Sequence, residues 1–452
     1  MRRIVLLCVL GVVGLGCRDL TSAELPAGTK NPKEYETREG ALALYRGTIG
    51  TFKDAVLNYL NLASVLTDEY ANVSSVLDSV DLRRLPMLLG GGSDYARLHT
   101  VRGQTQQALG ALARYAPDVS PALRGHLFAL QGYAEVWLAD LFCSGIPLST
   151  LDFDGDFTYR PGSSTQEVYE HALALFDSAL ALSSDSVRFE YLARIGKART
   201  LLQLSRYTEA AEVVQPVSST YRYGEREIVV TTTLGDMSVA QGEGGTGLLY
   251  RTDPRVDAVF MGNYPSSTRP IYQPRKYLPA GSAQLIVVAS GVEAQLILAE
   301  AALHAGHIDQ WLNRLNALRT DGTFTVEGTD TVWGVGLGAT YFAETPIVAA
   351  AQRGLPPLTD PALGVIPPGK TAMDVRVDLL FAERGYWLFR TGHRQGDLRR
   401  LVREYGRSQE TVYPSQGFSA QGGTYGRDVT MPITRQMEGA NPFFKGCLHR
   451  DA

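Results

Sequence analysis

The chain has 452 residues, enough for a large core and more than one lobe. Its 43 basic and 47 acidic side chains leave a net charge of −4 and are well mixed, which excludes a basic nucleic-acid footprint and an acidic tail. The 46 glycines and 22 prolines require long loops between whatever helices form.

The N-terminus reads MRRIVLLCVLGVVGLGC. Arg2 and Arg3 form a charged region and residues 4–15 an apolar one, too short to span a bilayer but suited to a secretory signal. A signal ending at Gly16–Cys17 looks like a lipoprotein signal, cut before Cys17, with acyl chains on the Cys17 thiol and amine. Leucine usually stands three before that cysteine, and here the position is Gly14. The alternative is an ordinary cleaved signal and a soluble periplasmic product. On the lipoprotein reading, residues 1–16 are the signal, 17–35 the anchor and tether, and 36–452 one folded body. Cys8 leaves with the signal; Cys143 and Cys447 remain, and export allows but does not require them to pair.

Residues 36–66 keep a helical stripe through Leu42, Tyr45, Ile49, Phe52, Val56 and Tyr59. LTDEY at 66–70 leads into an irregular stretch carrying Arg83, Arg84 and a glycine triplet at 90–92. Residues 96–115 are predicted helical, 117–121 a break, and 122–142 a strongly apolar helix. The insertion 143–164 has alternating Asp152, Asp154 and Asp156; an EF-hand needs glutamate at its twelfth position and finds Ser163, so a surface loop is expected.

In 165–217, Val168, Ala172, Leu175, Phe176 and Ala179 recur at three and four. Ala172, Phe176 and Ala179 have the spacing of the second helix of a tetratricopeptide repeat; Ala198, Leu201, Tyr207, Ala210 and Val214 fall at positions of the next unit. One such hairpin cannot bury its own apolar face, so neighbours must stack on it. Residues 221–279 lack periodicity. Gly242, Gly244 and Gly247 satisfy GxGxxG, but Pro254 stops the helix that a dinucleotide loop must open. Helical pattern returns at 291–319, 371–390 and 395–405.

The fold class is therefore mainly α: about four tetratricopeptide-like hairpins, discontinuous in sequence (mainly 36–142, 165–217, 291–319 and 371–406), supporting an irregular loop-rich lobe (mainly 71–95, 143–164, 218–290, 320–370 and 407–452). No HExxH, GxSxG, P-loop or His/Cys ligand cluster occurs, so no catalytic residue, metal or cofactor is assigned. His393 and Asp397 among Arg394, Arg399 and Arg400 read as a helix-end ion network. Asp68 and Glu69 are sequence neighbours that point to different sides of a helix, with no second partner for glycoside hydrolysis. What the loops offer is aromatic surface with polar neighbours, suited to stacking on sugar rings or apolar side chains. On composition, the ligand-binding candidates are Arg83, Tyr95, Phe260, Tyr264 and Tyr272.

DLLFAERGYWLFRTGHRQGDLRR at 378–400 and YGRDVTMPITRQMEGANP at 425–442 closely resemble the SusD/RagB family of outer-membrane nutrient-binding lipoproteins. LTDEY at 66–70, DLFCSGIPLS at 140–149, ARIGKARTLLQLSRYTEAA at 193–211 and EAQLILAEAAL at 293–303 match in the same order. The resemblance implies a non-enzymatic lipoprotein on the surface of a Gram-negative bacterium. It would cap a TonB-dependent SusC-like β-barrel transporter as a hinged lid and deliver glycans, glycopeptides or peptides to it. Ligand residues vary between members, so none carries over by motif. The competing readings are a repeat scaffold that assembles outer-membrane machinery without binding nutrients, and a secreted hydrolase, which would need two carboxylates converging in a cleft.

Overall fold

The computed structural model describes residues 35–72, 78–85, 92–224, 229–231, 237–240, 246–263, 270–274, 283–320, 332–336, 339–343, 355–415 and 423–452. Ten helices of eight residues or more organise them: α1 Arg38–Leu66, α2 Gly92–Tyr115, α3 Pro121–Leu141, α4 Thr165–Leu182, α5 Val187–Gln203, α6 Tyr207–Val214, α7 Gly291–His304, α8 Ile308–Thr320, α9 Ala372–Trp387 and α10 Arg394–Arg403. Local chemistry sets their starts. The Thr37 side chain accepts from Gly40 N, Ser120 caps a helix that opens on Pro121, and Ser290 accepts from Glu293 N. Reciprocal capping boxes, Ser164 with Glu167 and Thr371 with Asp374, begin α4 and α9.

Four hairpins, α1–α2, α3–α4, α5–α6 and α7–α8, stack in chain order, and each first helix also touches the next first helix. The Phe176 ring is the pin of this stack. It is fully buried in α4 between Gly132 of α3 and Gly196 of α5, where any Cβ would come within 2.3–2.8 Å of the ring. Tyr133 meets it edge-on at 5.3 Å.

Sequence distance suggests that the hairpins are separated; in space they are consecutive. Short antiparallel pairs at the roots of the insertions explain the difference. Ile146 pairs with Ser163 inside the second hairpin, and Tyr223 pairs with Ala289 between the third and fourth. Each pair returns the chain to where it left, so an insertion of any length leaves the stack intact. All strands among the described residues lie in two-stranded antiparallel pairs, one of which, Tyr70–Asn72 with Met237–Val239, ties two different insertions together.

The C-terminal pair does not add a fifth stacked hairpin. α9 packs on α7 and α8 through a second core of Leu380, Phe381, Trp387, Trp311 and Leu315. α10 then crosses back over α1 and α3. It carries the buried charges that tie these elements: Arg394 forks onto Asp68 at 2.7 Å twice, Arg399 donates to the Ala139 and Asp140 carbonyls at the end of α3, and Arg400 reaches Glu300 of α7. Arg384 of α9 forks onto Asp397 at 2.8 Å twice. Guanidinium groups laid against helix C-termini complement the dipole as well as the carboxylates. His393 sits inside this network, 2.8 Å from Glu293, which is itself forked by Arg199 at 2.7 and 2.8 Å.

Candidate functional site

A groove of about 1220 Å³ opens beside the first two hairpins. Its floor is one face of α2, where Tyr95, His99, Arg102 and Gly103 follow at helical spacing, with Gln107 one turn on. One wall is the insertion, through Pro147, Ser149, Leu151, Phe157 and Tyr159. The other is the C-terminal turn, through Thr434, Met437, Glu438 and Asn441.

The insertion is held in place from both ends. Strands β1 Ile146–Pro147, β2 Thr150–Leu151, β3 Phe157–Thr158 and β4 Gly162–Ser163 fold it as two nested pairs, β1 with β4 and β2 with β3. At the tip, Phe153 packs on Gly110 of α2, where an added Cβ would lie 2.8 Å from the Phe153 Cβ. Tyr115 and the Arg114 guanidinium cover the other faces of that ring, and Arg114 forks onto Asp154 at 2.6 Å. So the alternating aspartates serve the loop itself, and no group of three or more metal-ligating side chains occurs among the described residues. At the root, Cys143 and Cys447 form a disulfide. Cys143 N also donates to Met431 O at 2.9 Å and Leu448 N to Ser144 O at 2.7 Å, so the two walls share one anchor. Asn441 Nδ2 donates to Arg160 O at 2.9 Å above it.

Two kinds of surface meet in the groove. Phe157 is 51% exposed and meets Tyr159 edge-on at 4.8 Å, giving an open aromatic rim. The floor is polar. Arg102, 2% exposed, donates Nε to Glu135 at 2.8 Å and Nη1 to Ser149 O at 3.2 Å. Glu135 accepts in addition from Gln131 at 3.0 Å and pairs with His171 at 2.5 Å. Burial pushes the Glu135 carboxyl up, but Arg102 and His171 overcome it and hold the group below the usual range. Tyr95 donates to Glu438 at 2.7 Å and packs on His99 and Phe142.

Of the candidates read from composition, Tyr95 alone lines this groove. Arg83 is a correction. It is 1% exposed, stacks on Tyr413 and donates to the Pro414 and Asp428 carbonyls at 2.5 and 2.9 Å, so it fastens the C-terminal segment and takes no part in the groove lining. Phe260 and Tyr272 face each other across the hairpin Ala258–Asn263 with Pro270–Pro274, rings 5.5 Å apart, and Arg251 lies over Tyr272. They form a second aromatic patch, apart from the groove lining. Tyr264 and Cys17 lie outside the described residues. Asp68 and Glu69 are buried against Arg394 and the Arg390 backbone, far from any role as paired acids in the groove. The residues that sequence reasoning missed are His99, Arg102, Phe157, Tyr159 and Glu438. The aromatic pair at 157 and 159 did carry a signal, since two apart in a strand means one face.

A stack of helical hairpins whose insertions and C-terminal turn enclose an aromatic-rimmed groove defines a helical-repeat scaffold. Its fold is SusD-like. A SusD superfamily protein from Bacteroides vulgatus superposes with a TM-score of 0.61 at 14% identity, over 92% of this chain and 99% of that one. NanU from Bacteroides fragilis does so with a TM-score of 0.61 at 12% identity, over 95% and 100%. A SusD-like carbohydrate-binding protein from Bacteroides vulgatus gives 0.58 at 14% identity, over 90% and 97%. No protein-family model matches the sequence, and no curated protein does either. No helix among the described residues is long and apolar enough to cross a membrane.

Proposed function

We propose that this protein is a member of the SusD/RagB family, a non-enzymatic surface lipoprotein that captures a nutrient glycan in the groove on α2 and passes it to a TonB-dependent SusC-like barrel in the outer membrane. The observation that carries the reading is the groove itself: a large concavity with exposed Phe157 against half-buried Tyr159 over a polar floor, which is the surface a sugar ring needs. The lipoprotein signal at Cys17 supports attachment to the outer membrane, with residues 17–35 as the tether. The likeness of 90% of the chain to a carbohydrate-binding protein of the same fold supports the ligand class.

Two measurements test it. Glycan binding is measured with the mature chain and with the Phe157→Ala/Tyr159→Ala double variant, which is expected to lose at least tenfold in affinity at unchanged melting temperature. Full binding by the double variant would move the ligand out of the groove. For the partner, the lipidated protein is captured from its own outer membrane and the co-purifying proteins are identified by mass spectrometry. A TonB-dependent barrel in roughly equal amount is expected; an intact lipoprotein without one would favour the assembly-scaffold reading.

A further inference from the structure

The groove floor restricts what its occupant can be, on the reading of the groove as the ligand site. Arg102 Nη1 lies 3.2 Å from His99 Nδ1. A guanidinium only donates, so His99 Nδ1 accepts and the ring proton sits on Nε2. Burial first, and then the charge of Arg102, lowers His99 to about 3, so the ring is neutral at physiological pH. His99 Nε2 and Arg102 Nη2 are both buried, both belong to groove-lining residues, and neither has a hydrogen-bond partner among the described residues. Buried donors of this kind are costly to leave unmet.

The acceptors around them are committed. Glu135 is taken by Arg102, Gln131 and His171, the Ser149 carbonyl by Arg102, and Glu438 by Tyr95 and Asn441. Gln104 gives its side-chain oxygen to Thr51 at 2.5 Å, which leaves its amide N–H groups as further donors on the lining. The acceptors nearest these donors are thus committed, while Gln107 and Gln436 elsewhere on the lining can both donate and accept. A sugar hydroxyl accepts but also carries a proton that must be placed. A carboxylate only accepts, has two oxygens, and gains most from a guanidinium. We propose that the groove selects glycans that bear a carboxylate, with its oxygens on His99 Nε2–H and Arg102 Nη2–H and the sugar ring against Phe157 and Tyr159. A glycan answers the aromatic rim because the rim offers two edge-to-face rings on which a sugar face can rest.

The test uses the full mature chain in detergent on an array spanning neutral, uronate-bearing and sialylated glycans, with an acidic peptide series beside them. Hits are titrated against their carboxyl-reduced forms. The acid form is expected to bind at least tenfold tighter than its reduced form, and the gap to narrow as salt rises. His99→Phe keeps a ring on Tyr95 but removes the N–H, and should cost roughly tenfold for the acid glycan and little for the reduced one. His99→Gln keeps a donor and should recover part of that loss. Equal binding of acid and reduced forms, still lost in the Phe157→Ala/Tyr159→Ala variant, would overturn this inference and leave the glycan-binding groove standing. Binding of acidic peptides in place of glycans overturns the ligand class, and an array with no glycan hit overturns both readings.

Discussion

Asp397 gives the sharpest test of how the scaffold is held. Both of its oxygens lie on Arg384, at 2.8 Å from Nε and from Nη2, and Arg400 Nη1 stands at 3.4 Å. The two side chains of the main pair are 2% and 4% exposed. Burial alone would raise the carboxyl; the charge and hydrogen bonds of Arg384, joined by Arg400, hold it below the usual range. Asp397→Ala leaves Arg384 buried with only Glu300, 3.6 Å away. Removing one partner of a buried pair costs about 3–5 kcal/mol. An unfolding entropy of about 2.1 cal/mol/K per residue over roughly 400 residues is about 0.8 kcal/mol/K, so the melting temperature should fall by about 4–6 °C. Replacing both partners, Arg384→Met with Asp397→Leu, should recover most of that, because no uncompensated charge stays buried. The sign with pH follows from a lowered carboxyl: its stabilisation is present above the ordinary carboxylate range and is lost as pH falls through the folded value, so wild type and Asp397→Ala should converge in acid. Calorimetry across pH, with glycan titration alongside, reads all of this. Unchanged melting with lost glycan binding would refute the reasoning, and so would a double variant as unstable as the single one.

Glu69 behaves oppositely. Burial outweighs its hydrogen bonds from the Arg390 backbone and Ser64 and raises its carboxyl from 4.5 to about 7. A raised carboxyl stabilises fully below the unfolded value and loses that contribution as pH climbs to about 7, a difference of about 3 kcal/mol. Glu69→Gln should therefore flatten the stability profile between pH 4.5 and 7 relative to wild type, and a parallel profile would refute it. Gly196→Ala puts a Cβ 2.3 Å from the Phe176 ring and should destabilise by about 1–3 kcal/mol, read in chemical unfolding. Cys143→Ser with Cys447→Ser removes a link across 304 residues of sequence. It should lower stability by up to about 5 kcal/mol and weaken glycan binding, since both groove walls rest on it. Gly110→Val should displace Phe153 and reduce glycan affinity while the helical circular dichroism is retained.

The helical scaffold was legible because burial on a helix leaves a periodic trace. Ala172, Phe176 and Ala179 are all fully buried, as their spacing implies. The stacking order was not legible, because distance along the chain says nothing about two-stranded roots such as Ile146 with Ser163 that bring an insertion back to its origin. The ion network around His393 and Asp397 was legible in kind, since arginines and carboxylates crowd one short stretch. Its partners were not: Asp68, Glu293 and Glu300 lie far along the chain and each looks ordinary where it stands. Arg83 misled for the same reason. A basic residue in an irregular loop reads as exposed until the segment it fastens, 331 residues on at Pro414, is in view.

The groove was the least legible part, and its construction explains why. Its three sides come from α2, the insertion and the C-terminal turn, and no one of them has a binding motif. The parts that fix its position are structural: Gly110 admits Phe153, the disulfide joins the roots of both walls, and Asn441 ties the turn to Arg160. The parts that face the occupant are a short aromatic alternation at Phe157 and Tyr159 and the His99 and Arg102 side chains, which a helix wheel assigns to the interior of α2. Interior is indeed where they are, but with nitrogens that no group among the described residues completes. A buried donor left over after every neighbouring acceptor has been assigned is visible only once the hydrogen bonds can be counted. That is why the aromatic rim could be read from the chain, whereas the proposed preference for an acceptor-only group on the ligand depends on the folded protein.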